Sequence, residues 1–238
     1  MKDKIDGKIK AILFDLDGTL LDVNLDKFIP QYLNLLAQSV AHIITPKKFI
    51  SKIMMASKAV EENNGTNTND DIYTEICFPL EGYTREEIQP FIDKFYEQDF
   101  SALRQYTKKK PETRSVVQSV FDKGYDVVIA TTPLLPATAI EQRLEWAGVA
   151  DFPYRLITTI ENSHATKSLT HLLYYEQILG KIGYPAEACL MVGDEDKDLV
   201  SKRLGIHTFL INSRNTKLGI DIPEPDYRGT LEDLKQLL

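Results

Sequence analysis

The strongest chemical signal in the sequence is a pair of carboxylates near the N-terminus. The segment FDLDGTL places Asp15 and Asp17 one residue apart, after an apolar run and before Gly18. If the chain turns at the glycine, both side chains can reach one site, where one carboxylate attacks an electrophile and the other transfers protons. The alternative interpretation is a strand that ends in an ordinary Asp-Gly turn.

A second group of carboxylates follows an apolar run late in the chain. Residues 188–192 are apolar, and Asp194, Glu195, Asp196 and Asp198 come directly after them. So many acids in one place are costly unless a cation shares the site, and Mg²⁺ prefers such hard oxygen ligands. Which of Glu195, Asp196 and Asp198 would support the ion stays open.

These acids must be positioned by the elements that precede them. Apolar runs predict buried strands at residues 11–14, 125–130 and 188–192, with shorter candidates at 154–158 and 208–211. Helical patterns alternate with them at residues 113–123, 138–147 and 168–182. This alternation predicts an α/β fold, a Rossmann-like doubly wound parallel sheet with helices on both faces. Ligands gather at the carboxyl ends of such strands.

One long segment breaks the alternation, because residues 25–106 show helical patterning and no convincing strand. Helices are predicted at residues 25–44, 46–63, 70–78 and 84–100. We expect an all-helical cap at residues 25–106, inserted into a core formed by residues 1–24 and 107–238. The crossings at residues 22–24 and 106–111 would be the hinges. The polar stretch 63–70 could contact substrate, or Thr68 or Asn69 could simply cap a helix.

The segment FDLDGT resembles the first signature of the haloacid dehalogenase-like hydrolase superfamily, many of whose members are phosphatases. The later signatures follow in order: Thr131 after a hydrophobic strand, Lys167 before a predicted helix, and a Gly-Asp ending at Asp194 with Asp198 four residues on. Together they cover most of the chain. The resemblance implies a phosphatase-type member whose single helical cap is of the C1 type.

By this resemblance Asp15 attacks phosphorus and forms an aspartyl-phosphate, while Asp17 acts as general acid and then general base. The expected substrate-binding residues are Gly18, Thr131, Thr132 and Lys167. The catalytic set is Asp15, Asp17, Thr131 and Lys167. The sequence departs from many relatives in two places, because Thr132 stands where asparagine is common and Ser168 follows Lys167 where proline is common.

The same resemblance implies Mg²⁺ as the cofactor. Its expected ligands are Asp15, the backbone carbonyl of Asp17, and Asp194. Asp198 completes the metal site from the outer layer, where it would orient water or Lys167.

Composition excludes several other classes of protein. A net charge of −7 argues against a nucleic-acid binder, which needs a basic face. The compact basic run Lys108 to Lys110 is interpreted as a solvated surface segment. Cys77 and Cys189 lie too far apart to indicate a disulfide framework, and no signal peptide or membrane span is expected. These features favour a cytoplasmic setting, and the resemblance implies a small phosphorylated metabolite as the substrate.

Four alternative functions are to be compared with a phosphatase. A phosphomutase shares all the signatures and stays open, as does a non-catalytic binding module on this fold. A dehalogenase needs neither Mg²⁺ nor Asp17, and a phosphonate-cleaving enzyme needs a cap lysine that no pattern marks. The sequence identifies neither the substrate nor the oligomeric state, although it is compatible with a monomer.

Overall fold

The structure is a computed structural model that describes residues 7–212, 216 and 218–238. Its strands are β1 (Ala11–Phe14), β2 (Leu21–Val23), β3 (Thr107–Lys109), β4 (Asp126–Ile129), β5 (Leu156–Ile157), β6 (Cys189–Gly193), β7 (His207–Ile211) and β8 (Tyr227–Gly229). Its α-helices are α1 (Leu25–Ser39), α2 (Pro46–Glu61), α3 (Asn69–Cys77), α4 (Arg85–Lys94), α5 (Thr113–Asp122), α6 (Ala137–Ala147), α7 (Leu173–Ile182), α8 (Asp196–Leu199) and α9 (Leu231–Leu237). None of the helices in these described ranges is long and apolar enough to cross a membrane.

The central sheet confirms the predicted doubly wound parallel fold. Within the described residues it has six parallel strands in the order β5-β4-β1-β6-β7-β8. Phe14 at the end of β1 lies opposite Ile129 of β4 and Val192 of β6. The carboxyl ends of these three strands therefore meet at one edge of the sheet.

Both faces of the sheet are covered, because alternate residues of each strand point to opposite sides. Ile12 and Phe14 belong to an apolar cluster that includes residues of α5, α6 and α9. Ala11 and Leu13 belong to a second cluster that includes residues of α7. All four β1 side chains are buried, so β1 is held rigidly behind the residues that follow it.

The segment after Lys167 differs from the prediction. The helix expected at residue 168 begins only at Leu173. The Ser168 hydroxyl accepts a hydrogen bond from the Thr170 backbone N–H at 3.2 Å. Such local side-chain bonds compete with helix formation, so the chain stays irregular here. Strand β8, which precedes the closing helix α9, was not predicted.

Residues 25–106 carry α1 to α4, followed by a π-helical segment (Phe95–Asp99) and a 3₁₀ segment (Phe100–Tyr106). The first helix ends at Ser39, five residues before its predicted end. The predicted hinges lie at the antiparallel pair β2–β3, where Leu21 faces Lys109 and Val23 faces Thr107. We propose that residues 25–106 act as one unit, and call them the helical cap.

The first residue of α3, Asn69, bonds the helical cap to the core. The Asn69 amide is buried and donates to the carbonyls of Pro133 and Ala165, both at 3.2 Å. Asn63 donates to the Asn69 side-chain oxygen at 2.8 Å. Thr68 caps α3, so one of the two predicted cap residues takes that role and its neighbour bonds the core instead.

Replacing Asn69 should therefore destabilise the fold. In an Asn69→Ala variant two buried carbonyls lose their donor, which costs about 1–3 kcal/mol for each buried group left unpaired. Asn64→Ala is the matched control, because Asn64 is exposed and bonds only Thr66 of its own turn. The control should change stability by less than about 0.5 kcal/mol. Equal denaturant midpoints for the two variants would contradict this account of Asn69.

Candidate active site

Lys167 links two carboxylates that the sequence places far apart. Its ammonium donates to Asp15 Oδ1 and to Asp198 Oδ1, each at 2.6 Å. Asp15 follows β1 directly, and its backbone N–H donates to Val192 O at 2.9 Å, which continues the sheet ladder by one residue. Asp15 is 7% exposed and Lys167 is 4% exposed. The first, third and fourth sequence signatures thus meet at this ammonium.

Asp198 is held by the two residues that precede its helix, α8, as well as by Lys167. Its Oδ2 accepts hydrogen bonds from the backbone N–H groups of Asp194 and Glu195, both at 3.1 Å. Each of its carboxylate oxygens therefore already has a donor. A side chain at Gly193 would collide with this carboxylate, which explains the glycine at the end of β6. The geometry suits Asp198 to orienting Lys167 rather than to direct metal ligation.

Asp194 occupies the space between the turn after Asp17 and the start of α8. Its Oδ1 accepts a hydrogen bond from the Thr19 hydroxyl at 3.3 Å. Gly18 has a φ of +81°, and a side chain there would collide with the Asp194 carboxylate. Glycine is therefore required at position 18 both by the backbone conformation and by this close approach.

Carboxylate oxygens of Asp15, Asp194 and Asp198 all lie within 4.8 Å of one another. Burial, together with the charges of Asp15 and Asp198, raises the pKa of Asp194 to about 7. Burial alone would lower the pKa of Lys167, but the same two carboxylates outweigh it and hold that pKa well above its ordinary value. The ammonium is therefore protonated, and the buried cluster still carries more negative than positive charge.

This cluster fits a small divalent cation. Its donors are hard carboxylate oxygens at one sheet edge, the donor set that Mg²⁺ prefers. Asp15 and Asp194 each keep an oxygen that is not engaged by Lys167 or Thr19 in the hydrogen bonds described above. A bound cation would also relieve the repulsion that raises the pKa of Asp194.

The second signature lies at the same edge. The Thr131 backbone is fixed because its carbonyl accepts hydrogen bonds from the hydroxyls of Thr158 and Tyr174, each at 2.8 Å. Thr131 and Thr132 line a cavity that also reaches Asp15 and Lys167. The cavity is therefore lined by Asp15, Asp17, Thr131, Thr132 and Lys167, whereas Gly18 lies against Asp194 and is not part of the lining. The roles of all six residues stay predictions.

Asp17 has a charged neighbour that sequence reasoning missed. The Arg143 guanidinium of α6 contacts the Asp17 carboxylate, and Arg143 is only 3% exposed. Burial lowers the pKa of Arg143 to about 10, against the opposing effect of Asp15, so Arg143 is charged at neutral pH. Within the described residues, Asp17 Oδ1 and Arg143 Nε are buried without a hydrogen-bond partner. This pair therefore keeps two buried polar atoms unsatisfied at the wall of the cavity.

A pattern in α6 could have revealed Arg143. It lies three residues after Ile140 and four before Ala147, and both of these are buried. An arginine on the apolar stripe of a helix is costly to bury unless an anion meets it. The sequence pattern predicts the helix itself, but the prediction did not include a charged residue on its buried face.

Lys110 corrects the interpretation of the basic run. Lys108 and Lys109 are exposed as expected, but Lys110 is partly buried. Its ammonium donates to the carbonyls of Gly18 and Thr19, the second at 3.0 Å. Lys110 thereby supports the turn after Asp17, and its charge lowers the pKa of Asp194 against the larger effects that raise it.

The acids at the start of α8 differ in their surroundings. Asp196 Oδ2 accepts a hydrogen bond from the Gly219 backbone N–H at 3.0 Å. Glu195 lines the cavity. Asp198 is the acid of these three that reaches Lys167 and the carboxylate cluster.

Comparison with known proteins agrees with this arrangement. Residues 9–201 match the family model described as haloacid dehalogenase-like hydrolase. Pyrophosphatase PpaX of Oceanobacillus iheyensis is 24% identical over 233 residues, which span 97% of this chain and 95% of that protein.

Solved structures share the fold. A HAD phosphatase from Thermococcus onnurineus superposes with a TM-score of 0.58 at 19% identity, covering 96% of this chain and 97% of that one. The L-2-haloacid dehalogenase of Xanthobacter autotrophicus gives a TM-score of 0.56 at 13% identity, covering 96% and 98%. At these identities the superpositions establish the fold alone.

The raised pKa of Asp194 predicts an unusual pH dependence of stability without metal. Between its ordinary value of 3.8 and about 7, the folded protein keeps a proton that the unfolded chain has released. Stability should therefore fall as pH rises through this window, by up to about 4 kcal/mol at 1.36 kcal/mol per pKa unit. Asp194→Asn should remove this contribution, which makes the variant more stable than the parent at pH 8 in chelator.

Urea unfolding at several pH values, with and without Mg²⁺, measures this effect. Mg²⁺ should stabilise the parent at pH 8 and have little effect on Asp194→Asn. Asp196→Asn is the control for loss of one nearby acid, at the start of α8, and should keep the parental pH slope. If the free energy of unfolding of Asp194→Asn fell with pH as steeply as that of the parent, the pKa of the Asp194 carboxyl would not be the one that is raised.

Proposed function

The chain belongs to the haloacid dehalogenase-like hydrolase family, and on that premise we propose that it is a Mg²⁺-dependent phosphatase of small phosphomonoesters. The observation that carries the proposal is the buried Lys167 ammonium, which bonds Asp15 and Asp198 beside Asp194. Phosphoryl transfer depends mainly on positioning and on neutralising charge, and this cluster supplies both.

Asp15 is the proposed nucleophile. A carboxylate oxygen of Asp15 attacks phosphorus while the bond from phosphorus to the alcohol oxygen breaks, and the hydrogen bond from Lys167 holds the carboxylate in place. The product of this step is an aspartyl-phosphate on Asp15. Lys167 balances charge on the nucleophile and the phosphate together, a task that suits its compact ammonium. The Thr131 hydroxyl and the Thr132 backbone N–H would donate to the phosphoryl oxygens.

Asp17 is the proposed general acid and base. It gives its proton to the departing alcohol oxygen, and then takes a proton from the water that attacks the aspartyl-phosphate. That second step releases inorganic phosphate and restores the Asp15 carboxylate. The contact with Arg143 holds the Asp17 carboxylate at the wall of the cavity that Asp15 also lines.

The residues proposed to hold Mg²⁺ are Asp15, Asp194 and the backbone carbonyl of Asp17, with Asp198 behind them. When bound, the ion would offset the charge of the carboxylates and the transferring phosphoryl group.

The comparisons give limited guidance on the substrate. The name of PpaX makes pyrophosphate one compound to assay. A dehalogenase is disfavoured because that reaction needs neither Asp17 nor the acidic cluster. A phosphomutase would retain the phosphoryl group, so release of free phosphate separates it from a phosphatase, and a binding module would release none. Cys77 and Cys189 are both buried free thiols, which supports a reducing, cytoplasmic setting.

Asp15→Asn should abolish phosphate release. An amide cannot form the acyl-phosphate, so we expect kcat to fall at least about a thousandfold across a panel of phosphomonoesters. Chelation of Mg²⁺ should have a comparable effect that added Mg²⁺ reverses. Asp26→Asn, an exposed acid of α1, serves as the control and should keep full activity. A fully active Asp15→Asn enzyme would refute the mechanism.

Asp17→Asn should separate the two chemical steps. Nitrophenolate leaves without protonation, so 4-nitrophenyl phosphate should still give a rapid burst of about one nitrophenol per enzyme, followed by slow turnover because the attacking water lacks a base. Alkyl phosphates, which need a proton on the leaving oxygen, should give no burst. Stopped-flow absorbance measures this difference. Parental steady-state rates on alkyl phosphates would contradict the role of Asp17.

A further inference from the structure

The catalytic residues form one end of a large cavity. Asp15, Asp17, Thr131 and Lys167 all line it, and its volume is about 480 Å³. The cavity continues between the helical cap and the loops that follow β4 and β5. A volume of several hundred Å³ is typical of sites that enclose a whole small molecule. The space therefore extends well beyond what the phosphoryl group itself must occupy.

The walls beyond the catalytic end are mostly apolar. Of the 31 lining residues, 16 are aliphatic, aromatic, methionine or proline, so apolar side chains form most of the wall away from the catalytic residues. Helix α1 contributes a stripe with helical spacing, formed by Leu25, Ile29, Leu33 and Leu36. The loop after Thr132 contributes Leu134, Leu135 and Pro136, so this apolar surface begins next to the phosphate-binding residues.

Part of this wall is open to water in the unliganded protein. Leu25 is 43% exposed, Ile29 is 45% exposed and Met54 is 55% exposed, although all three line the cavity. Exposed apolar side chains grouped around a pocket gain by being covered with an apolar ligand.

Charge in the outer part of the cavity disfavours a second anionic group. Among the described residues, Arg85 is the cation that the helical cap contributes to the lining. Its guanidinium is occupied by a two-pronged pair with Asp70, at 2.8 and 2.9 Å, and by the Thr74 hydroxyl at 2.6 Å. Glu61 and Glu161 add negative charge to the same lining. The other lining cations, which include Lys197 of α8, lie on core elements.

We infer that the substrate is the monophosphate ester of a bulky, uncharged and largely apolar alcohol. This inference rests on the proposed phosphatase activity, and it narrows the substrate of that same site. The phosphate lies at the Asp15 end, and the alcohol lies against α1 and the loop after Thr132. Carboxylated phosphoesters fit poorly, because they would place a second anion among apolar and acidic side chains. Pyrophosphate fits poorly because it would leave the apolar wall uncovered.

A series of straight-chain alkyl phosphates from butyl to octyl tests this inference. Their leaving oxygens have similar acidity, so differences in kcat/KM report contacts of the alkyl chain rather than bond strength. Burial of one CH₂ contributes about 0.8 kcal/mol, so kcat/KM should rise up to about threefold to fourfold per added CH₂ until the cavity is filled. Octyl phosphate, kept below its micellar concentration, should exceed glucose 6-phosphate and pyrophosphate by at least tenfold.

Two neighbouring methionines provide a matched pair of variants. Met54 lines the cavity, whereas Met55 is 62% exposed on the same helix and is not part of the lining. Met54→Gln should flatten the dependence on chain length, lowering kcat/KM for octyl phosphate severalfold and changing that for butyl phosphate little. Met55→Gln should leave the whole series unchanged. Both substitutions are at exposed positions, so folding is preserved.

The outcomes distinguish this inference from the proposed function. Mg²⁺-dependent hydrolysis with a flat or falling chain-length series, or equal effects of the two methionine variants, would overturn the apolar substrate and leave the phosphatase intact. If no phosphoester is hydrolysed, 4-nitrophenyl phosphate included, the proposed activity fails. Calorimetric binding of butyl and octyl phosphonates then decides the inference alone: tighter binding of octyl phosphonate, weakened by Met54→Gln, supports it, and equal or absent binding overturns it.

Discussion

The structure depends on keeping several buried carboxylates close together. Asp15, Asp194 and Asp198 offer oxygens within 4.8 Å of one another, and Lys167 bonds two of these residues. Burying such charges is unfavourable unless each has a partner, and removing one partner leaves the others uncompensated. The elements around the cluster can be understood as the means of holding Lys167 and the acids in register.

The sheet supplies that register. β1 lies between β4 and β6, so the residues after Phe14, Ile129 and Val192 emerge side by side. Close approach then requires the glycines at positions 18 and 193, because a side chain at either would occupy the space of a carboxylate. The rigid backbone and the small residues place the acids where burial, and then their mutual repulsion, raise the pKa of Asp194. Their close placement therefore costs some stability, and it groups oxygens that could hold a cation.

Much of this could be predicted from the sequence because the apolar strands are nearly continuous and end abruptly in polar residues. Asp15 and Asp194 were found in this way, whereas Lys167 was found only through the family resemblance. The helix predicted to begin directly after Lys167 was wrong in its start. Ser168 and Thr170 bond each other, and α7 begins only at Leu173. β2 and β3 have three residues each, too few to give a periodic signal.

The residues that were missed are charges whose partners lie far away in sequence. Arg143 contacts Asp17, and Lys110 bonds Gly18 and Thr19, across separations that no local pattern encodes. The same holds for Asn69, whose partners in the core became visible only in three dimensions. Local patterning thus located the strand tips, and long-range packing decided which charges meet there.

The most direct test of the central claim is to look for the covalent intermediate. Purified enzyme would be mixed with a rapidly cleaved phosphomonoester, quenched in acid within milliseconds, and digested for peptide mass spectrometry, with Mg²⁺ and with chelator. If Asp15 is the nucleophile, we expect one added phosphoryl group on the peptide that contains Asp15, and this group should be present with Mg²⁺ and absent with chelator. Turnover with no phosphoryl group on that peptide, or with the group on a different residue, would contradict it.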